Sequence, residues 1–498
     1  MTWIELSVAG LMIVAVPRPA AAQARYAITD LGGFGSGTGV RPSAINNAGQ
    51  VAGDYDVTPT LAHAFVWTNG AANDLGTIPG TGNTSIATAI NDAGQIAGTS
   101  MTPGGGSKAV RWTNGALTIL DNSATGSQAS GMNAAGEVVG SLGGKAALWP
   151  QPGTVTILGI NNNSSNTFAS GINAVGQIVG SYFVPEPLNS RGPRAFIAEN
   201  GSWFSLSTNN NTVRADAVAA AISINGLVAG TAVAADGSGT AVVWNQGNQI
   251  EELGGPCQPA NFGLNAINAT GQLVGTSCVG VGSQPYLDTY GPTLANLNSL
   301  IPPGTGWILS KATGINDLGQ ITGIGLKDNT QKGFVLTPLF HANINFQPAT
   351  SPVPVGYVAD TGAVFGTRGN GFSYGWNVSN TVNTRDRNAA QSPDQRYDTL
   401  AHMQNGTGGT RWEIAVPNGT YLVHLVAGDP AAFDSQYAFN IENVSFAWGI
   451  PNTFGIPNPT EPWFEATNKI VVSDGRLTIT NTTWSKNNKI SFIDIIGI

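Results

Sequence analysis

A nine-residue unit recurs seven times between residues 45 and 323. Its first copy is Ile45-Asn46-Asn47-Ala48-Gly49-Gln50-Val51-Ala52-Gly53, and the others begin at Ile90, Met132, Ile172, Ile222, Ile267 and Ile315. The spacings are 45, 42, 40, 50, 45 and 48 residues, a mean of 45. A fixed period marks one supersecondary element repeated along the chain, and a four-stranded propeller blade takes about 40–45 residues. Within the unit the turn is written in two residues. Asn46, Asn91, Asn133, Asn173, Ser223, Asn268 and Asn316 open it, and Gly49, Gly94, Gly136, Gly176, Gly226, Gly271 and Gly319 follow three residues later. This is a type I turn followed by a left-handed glycine, the chemistry that closes a short β-hairpin. Asn bonds its own backbone there, and glycine takes a positive φ without a Cβ clash.

About a dozen residues after each turn a second apolar strand begins, as in Ala64-Phe65-Val66-Trp67, Ala109-Val110-Arg111-Trp112 and Ala241-Val242-Val243-Trp244. A short leucine strand follows several of these, for example Asp74-Leu75-Gly76. Two hairpins per repeat predict a four-stranded sheet. The phase at the ends is informative as well: Tyr26-Ala27-Ile28-Thr29-Asp30-Leu31-Gly32 precedes the first turn unit, and the last repeat stops after Phe334-Val335-Leu336-Thr337-Pro338. The N-terminal strand thus completes the last sheet and leaves no open edge, predicting a closed ring of seven blades over residues 25–340. Only 10% of the residues are charged, against roughly 25% in an ordinary soluble domain, which excludes long solvent-facing helices. The net charge of −8 argues against a nucleic-acid binder.

The segment His63-Ala64-Phe65-Val66-Trp67-Thr68-Asn69-Gly70, with Asp74-Leu75-Gly76 and Ile90-Asn91-Asp92-Ala93-Gly94-Gln95, resembles the extracellular repeat of the HAF family. The resemblance covers about 315 residues and implies an exported bacterial propeller with no established shared chemistry. Only the first repeat keeps the histidine. Export is also expected from the N-terminus, where the apolar run Val8–Val16 is followed by Ala20-Ala21-Ala22-Gln23-Ala24, the pattern of a secretory signal over residues 1–24. No later stretch is long and apolar enough for a membrane span. In an oxidising compartment Cys257 and Cys278 are expected to form one structural disulfide, with a two-cysteine metal site the weaker alternative. No cofactor is expected. The adjacent acids Asp54 and Asp56, or Glu251 and Glu252, offer at most a weak structural calcium site.

The residue before the second strand is basic in most repeats: His63, Lys108, Lys145, Arg194, Thr240, Gln284 and Lys332 in order. Equivalent blades would set these side chains at one radius as an anion-attracting ring. The simpler reading, and the preferred one, is that long side chains reach into water from a strand start. No Gly-x-Ser-x-Gly, His-Glu-x-x-His or Walker pattern is present. An active site at a propeller mouth, built from loops holding Tyr55, Tyr182 and Tyr290, stays open at this point.

Beyond residue 340 the turn unit stops and the aromatic content doubles, from 20 of 315 residues in 26–340 to 19 of 158 in 341–498. Short strands separated by turns, such as Trp412–Val416 and Tyr421–Val426, predict an antiparallel β-sandwich of jelly-roll type. The run from Asp394-Gln395-Arg396-Tyr397-Asp398-Thr399 through Tyr437–Ile441 to Lys489–Ile495 resembles malectin-like and galactose-binding-like domains. That resemblance implies a non-catalytic sugar binder in which Tyr397 is a sugar-contacting aromatic. Where the family places a carboxylate before the last strand, this chain has Lys486-Asn487-Asn488. Sugar binding needs aromatic faces and a few fixed polar groups. The candidates are Tyr357 with Asp360, Tyr374 with Trp376, Arg385, Asp386, Arg387, Tyr397, Trp448, Trp463, Trp484 and Asn487. Trp412 and Tyr421, on strands, are expected in the core, His424 is read as structural, and His402 as a minor candidate. The leading reading is an exported protein that binds polysaccharide or another glycan. A polysaccharide lyase or glycoside hydrolase with a propeller catalytic domain is the alternative, and an extracellular matrix protein a third.

Overall fold

The computed structural model describes residues 26–498 apart from 34–38, 81–82, 161–165, 184–191, 207–212, 235–238, 246–249, 254–262, 278–283, 289–294, 405–408 and 448–461. The expected signal sequence, both cysteines, Tyr290 and Trp448 lie outside the described residues. The chain divides into two compact units, one ending at Thr337 and one running from Pro338 to Ile498. Both are β-structure. The described residues hold one α-helix, Gln395–Asp398, and no helix among them is long and apolar enough to cross a membrane.

Among the described residues the first unit holds seven four-stranded sheets and is propeller-like. In the first, Val40–Ile45, Val51–Thr58, Leu61–Thr68 and Ala71–Asp74 pair in chain order. The last is built from Trp307–Ile315, Ile321–Lys327 and Thr330–Pro338, with Tyr26–Asp30 as its fourth strand. The N-terminal strand takes the place that a repeat's own leucine strand takes elsewhere. Leu31 donates its N–H to Gly333 O (3.0 Å) as Leu75 does to Ala64 O (2.9 Å), and Gly32 and Gly76 close the same turn on Asp30 and Asp74.

The turn unit has the expected conformation. Gly49 through Gly319 all have φ between 73° and 85°. The closing glycine of the unit is needed for a different reason. A Cβ on Gly53 would stand 2.2 Å from Arg41 O, and the equivalent positions meet the same backbone oxygen of the inner strand at about the same distance. Each inner strand carries a bulge opposite this glycine, between Pro42 and Ala44 in the first sheet. Adjacent sheets share small apolar clusters: Ala52 and Ala64 pack with Ala87, Ile96, Val110 and Trp112.

The turn asparagines also join sheet to sheet, beyond the local role the sequence suggests. The Asn46 side chain accepts from Gln50 N (2.9 Å) and Ala48 N (3.1 Å), and its amide donates to Asn91 O of the next repeat (3.0 Å). Asn91, Asn133, Asn173 and Asn268 reach forward in the same way, and Asn316 closes the circle on Asn46 O at 2.8 Å. At the seventh junction Ser223 is too short, and Asn225 donates to Ala269 O instead (3.1 Å).

In the second unit a five-stranded sheet (Val358–Asp360, His341–Phe346, Phe492–Gly497, Gly419–Gly428, Trp463–Val472) and a six-stranded sheet share one core. The six-stranded sheet contains Ser373–Trp376, Arg411–Ala415, Arg476–Asn481 and Ala438–Ile441. Alternation sends Tyr421, Val423 and Leu425 inward and leaves Leu422 and His424 on the outer face. A small sheet of Thr384–Asp386, Thr399–His402 and Lys489–Ile490 closes one end.

Candidate functional site

Cross-strand register places three polar side chains side by side on the outer face of the five-stranded sheet. His424 lies opposite both Asp494 and Thr467, and Glu465 is two residues before Thr467. His424 Nδ1 is 3.0 Å from Asp494 Oδ2, and its Nε2 is 3.6 Å from Glu465 Oε2. Two tyrosines bracket them: Tyr357 donates to Asp494 Oδ1 (2.6 Å) and Tyr397 to Glu465 Oε1 (2.8 Å). Burial, reinforced by these carboxylates, pushes both phenols well above their usual range, so both stay donors. Trp463 meets Tyr397 edge-on at 5.3 Å and donates its indole N–H to Tyr397 O (3.1 Å).

Arg396 lies across this cluster. Its guanidinium stands 5.5 Å from the Tyr357 ring centre, 5.7 Å from Tyr397 and 5.0 Å from the buried Phe492. Asp394, the cap of the single helix, grips it with two hydrogen bonds of 2.9 and 2.6 Å, which raise its already high pKa and lower that of Asp394. The guanidinium therefore lies against the Tyr357 and Tyr397 rings, two of the aromatics expected to stack on a pyranose. Beside them Glu465, Asp394, Arg396 and His424 keep solvent-exposed side-chain surface.

The hydrogen bond to Asp494, with Glu465 beside it, raises the His424 pKa above its usual 6.5 despite partial burial. A raised histidine pKa adds stability that is complete below about 6.5 and is lost as pH climbs through the folded value. Wild type should therefore lose thermal stability relative to His424→Gln as pH rises above about 6.5. Parallel melting curves across that range would show the pair to be energetically silent.

A second, more buried cluster adjoins the first at the end of Gly419–Gly428. Arg387 makes a two-point bond to Asp429 (2.9 and 2.6 Å), and Lys489 stands 3.4 Å from the same carboxylate and donates to Ser435 Oγ (2.9 Å). Asp429 and Lys489 have essentially no solvent contact. Charges this deep persist only when paired, so this is a structural clamp with Asn487 at its rim, donating to both oxygens of Asp434 (2.8 and 2.9 Å). Burial, with Lys489 nearby, lowers the His402 pKa.

The structure thus gathers Tyr357, Tyr397 and Trp463 at one place and Arg387 and Asn487 at the next. Arg385 turns back onto Val382 O and Thr384 O, and Asp386 accepts from Gln395. Trp484 is largely exposed on a turn, its N–H donating to Thr482 Oγ1 (3.1 Å). Three assignments are corrected. Tyr374 and Trp376 are core residues on the strand Ser373–Trp376, and Asp360 is buried beneath them, accepting from the Trp376 and Trp412 indoles at 2.8 Å each. None of the three offers a surface to a ligand. Trp412 and Tyr421 are buried, as expected. Sequence reasoning missed Arg396, Glu465 and Asp494 and took His424 for structural; period-two alternation on Gly419–Gly428 and Trp463–Val472 was the available signal.

In the first unit His63, Lys108, Lys145, Arg194 and Lys332 do occupy equivalent register positions, opposite Tyr55, Ser100, Leu142, Tyr182 and Gly325. His63 pairs with Asp74 (2.8 Å), and Lys108 with Asp121 (3.5 Å) and Ser123 O. The column is not an open cationic ring at these two positions.

No protein-family model matches the chain, and no curated protein sequence matches it. Neither the HAF-like nor the malectin-like resemblance therefore has a family match behind it. Solved structures resemble it distantly. Protein YXIM of Bacillus subtilis is 19% identical over 32% of this chain and 40% of its own length, with a TM-score of 0.23. A puromycin-hydrolyzing peptidase of Mycobacterium tuberculosis is 13% identical over 64% of this chain and 52% of its own, with a TM-score of 0.40. The SapL1 lectin, solved with alpha methyl fucoside, is 11% identical over 62% of this chain and 98% of its own, with a TM-score of 0.29. The chain spans about half or less of the first two proteins.

Proposed function

We propose that the protein is a secreted carbohydrate-binding protein, with a seven-bladed propeller as scaffold or second interaction surface and a C-terminal β-sandwich that holds the glycan. The observation that carries this reading is the continuous chain Tyr357–Asp494–His424–Glu465–Tyr397 with Arg396 across it. It presents fixed donors and acceptors of both charges on a rigid sheet face, which suits vicinal hydroxyl groups. The arginine against the tyrosine rings favours recognition by hydrogen bonds over stacking on them. Export is supported by the apolar run and Ala-Gln-Ala pattern before Arg25.

The test is a glycan array on the full chain, followed by titration of the best ligand against Glu465→Gln. A charge-assisted hydrogen bond is worth about 1.5–3 kcal/mol, so affinity should fall roughly tenfold or more with melting unchanged. Equal affinity would remove Glu465, and with it this site, from the reading. Release of reducing ends or unsaturated products from the same polysaccharides would replace it with a hydrolase or lyase.

A further inference from the structure

Where the seven turns converge, the first unit has an open-mouthed cavity of about 370 Å³, within the range of small-ligand pockets. All seven repeats line it. The first position of the turn unit contributes an apolar collar, isoleucine in six repeats and Met132 in the other. The third position forms the rim, and there the repeats differ. Ala134, Ala174, Ile224 and Ala269 make one arc apolar, while Asp317, Asn47 and Asp92 make the other polar.

The polar arc is rigid. Asn47 donates its backbone N–H to Asp92 Oδ1 (2.8 Å) and its amide to Asp92 Oδ2 (2.9 Å) and Asp317 Oδ2 (3.0 Å). Asp317 Oδ1 accepts from Ala269 N (2.8 Å), and its own N–H donates to Asn47 Oδ1 (2.8 Å). Every one of these donors is neutral. Neither aspartate forms an ion pair among the described residues, and no Lys, Arg or His lines the cavity. Two negative charges therefore face one small cavity without a counter-charge, and each carboxylate oxygen keeps acceptor capacity. On the apolar arc of the rim, Ile224 is 49% exposed. A site with an apolar floor and flank and a fixed anionic wall selects a cation carried on an apolar stem.

We propose that this cavity binds an ammonium or guanidinium group on an aliphatic stem, supplied either as a free alkylamine or as a Lys or Arg side chain of a polypeptide. The site is separate from the carbohydrate reading of the second unit and stands or falls alone. The experiment titrates the full chain with n-hexylammonium, with 1-hexanol as its neutral counterpart, and with acetyl-Leu-Lys-Leu-amide against the same peptide acetylated at its lysine. The ammonium or the unmodified peptide should bind at one site at least tenfold more tightly than its neutral counterpart, and raising salt should weaken it. Binding of both identifies the shared cation as the ligand; binding of the peptide alone identifies a polypeptide source. The Asp92→Asn/Asp317→Asn double variant should lower the affinity at least tenfold. Because both aspartates also hold Asn47, Ala174→Arg provides a second variant that leaves those hydrogen bonds in place and fills the mouth with a cation, and it should abolish binding. Hexanol binding as tightly as the amine, binding undiminished in both variants, or no binding of either cation would overturn the proposal.

Discussion

Asp360→Ala should destabilise the C-terminal unit by about 3–5 kcal/mol, because it leaves three buried N–H donors without their acceptor at about 1–3 kcal/mol each. Asp360 is almost fully buried, and its carboxylate organises three donors: the Trp376 indole and Gly362 N–H at 2.8 Å on one oxygen, and the Trp412 indole at 2.8 Å on the other. Burial drives its pKa up even against these donors, so the site stores a desolvation cost that only hydrogen bonds offset. Alanine leaves two indole N–H groups facing a void between the sheets, where Phe346 packs edge-on against both rings at 6.0 and 5.3 Å. Asp360→Asn keeps one acceptor and turns an NH2 toward one of the donors, and should fall between wild type and alanine. Urea unfolding followed by tryptophan fluorescence measures the series. A loss below about 1 kcal/mol for alanine would show that the indoles find other partners and that the clamp is dispensable.

Asn316→Ala should cost about 2–4 kcal/mol, because one side chain closes both a turn and the circle of sheets. Its amide donates to Asn46 O and Gln320 Oε1, each at 2.8 Å, and its oxygen accepts from Leu318 N and Gln320 N at 3.1 and 2.8 Å. Removal takes away one of the two donors to the carbonyl of buried Asn46, which keeps the Gly49 N–H (3.0 Å), and frees the junction between the last sheet and the first. Asn316→Ser should be milder, since Ser223 holds its own turn through a bond from Leu227 N (3.1 Å) without reaching the next repeat. Limited proteolysis should report faster cleavage in the N-terminal strand for alanine. An unchanged midpoint and unchanged cleavage would mean that the apolar clusters between sheets close the ring unaided.

The repeat architecture was legible because its signal is local and reiterated. Asn46 and Gly49 define a turn by backbone chemistry alone, and seven copies at one period leave little choice of fold class. The closing strand was legible by phase, since Asp30-Leu31-Gly32 copies Asp74-Leu75-Gly76. The C-terminal unit was read less well. Tyr374 and Trp376 are candidate sugar contacts by sequence, but Gly375 between them lies in a strand at φ 139°, where a Cβ would meet Arg368 Nη2 at 2.2 Å and Ala363 O at 2.6 Å. The glycine makes room there, and the aromatics beside it point into the core.

The sequence by itself determined the period, the turns, the strand alternation and the apolar faces, because each depends on residues within a few positions of one another. Tertiary structure decided which polar groups meet. Asn316 and Asn46 are 270 residues apart, as are Asp317 and Asn47, and Tyr357 reaches Asp494 across 137. Hydrogen bonds act over about 3 Å, so partners at such separations are set by sheet register and ring closure, which no local pattern encodes. The same asparagine that sequence reads as a turn former is therefore, in the folded chain, the link between one sheet and the next.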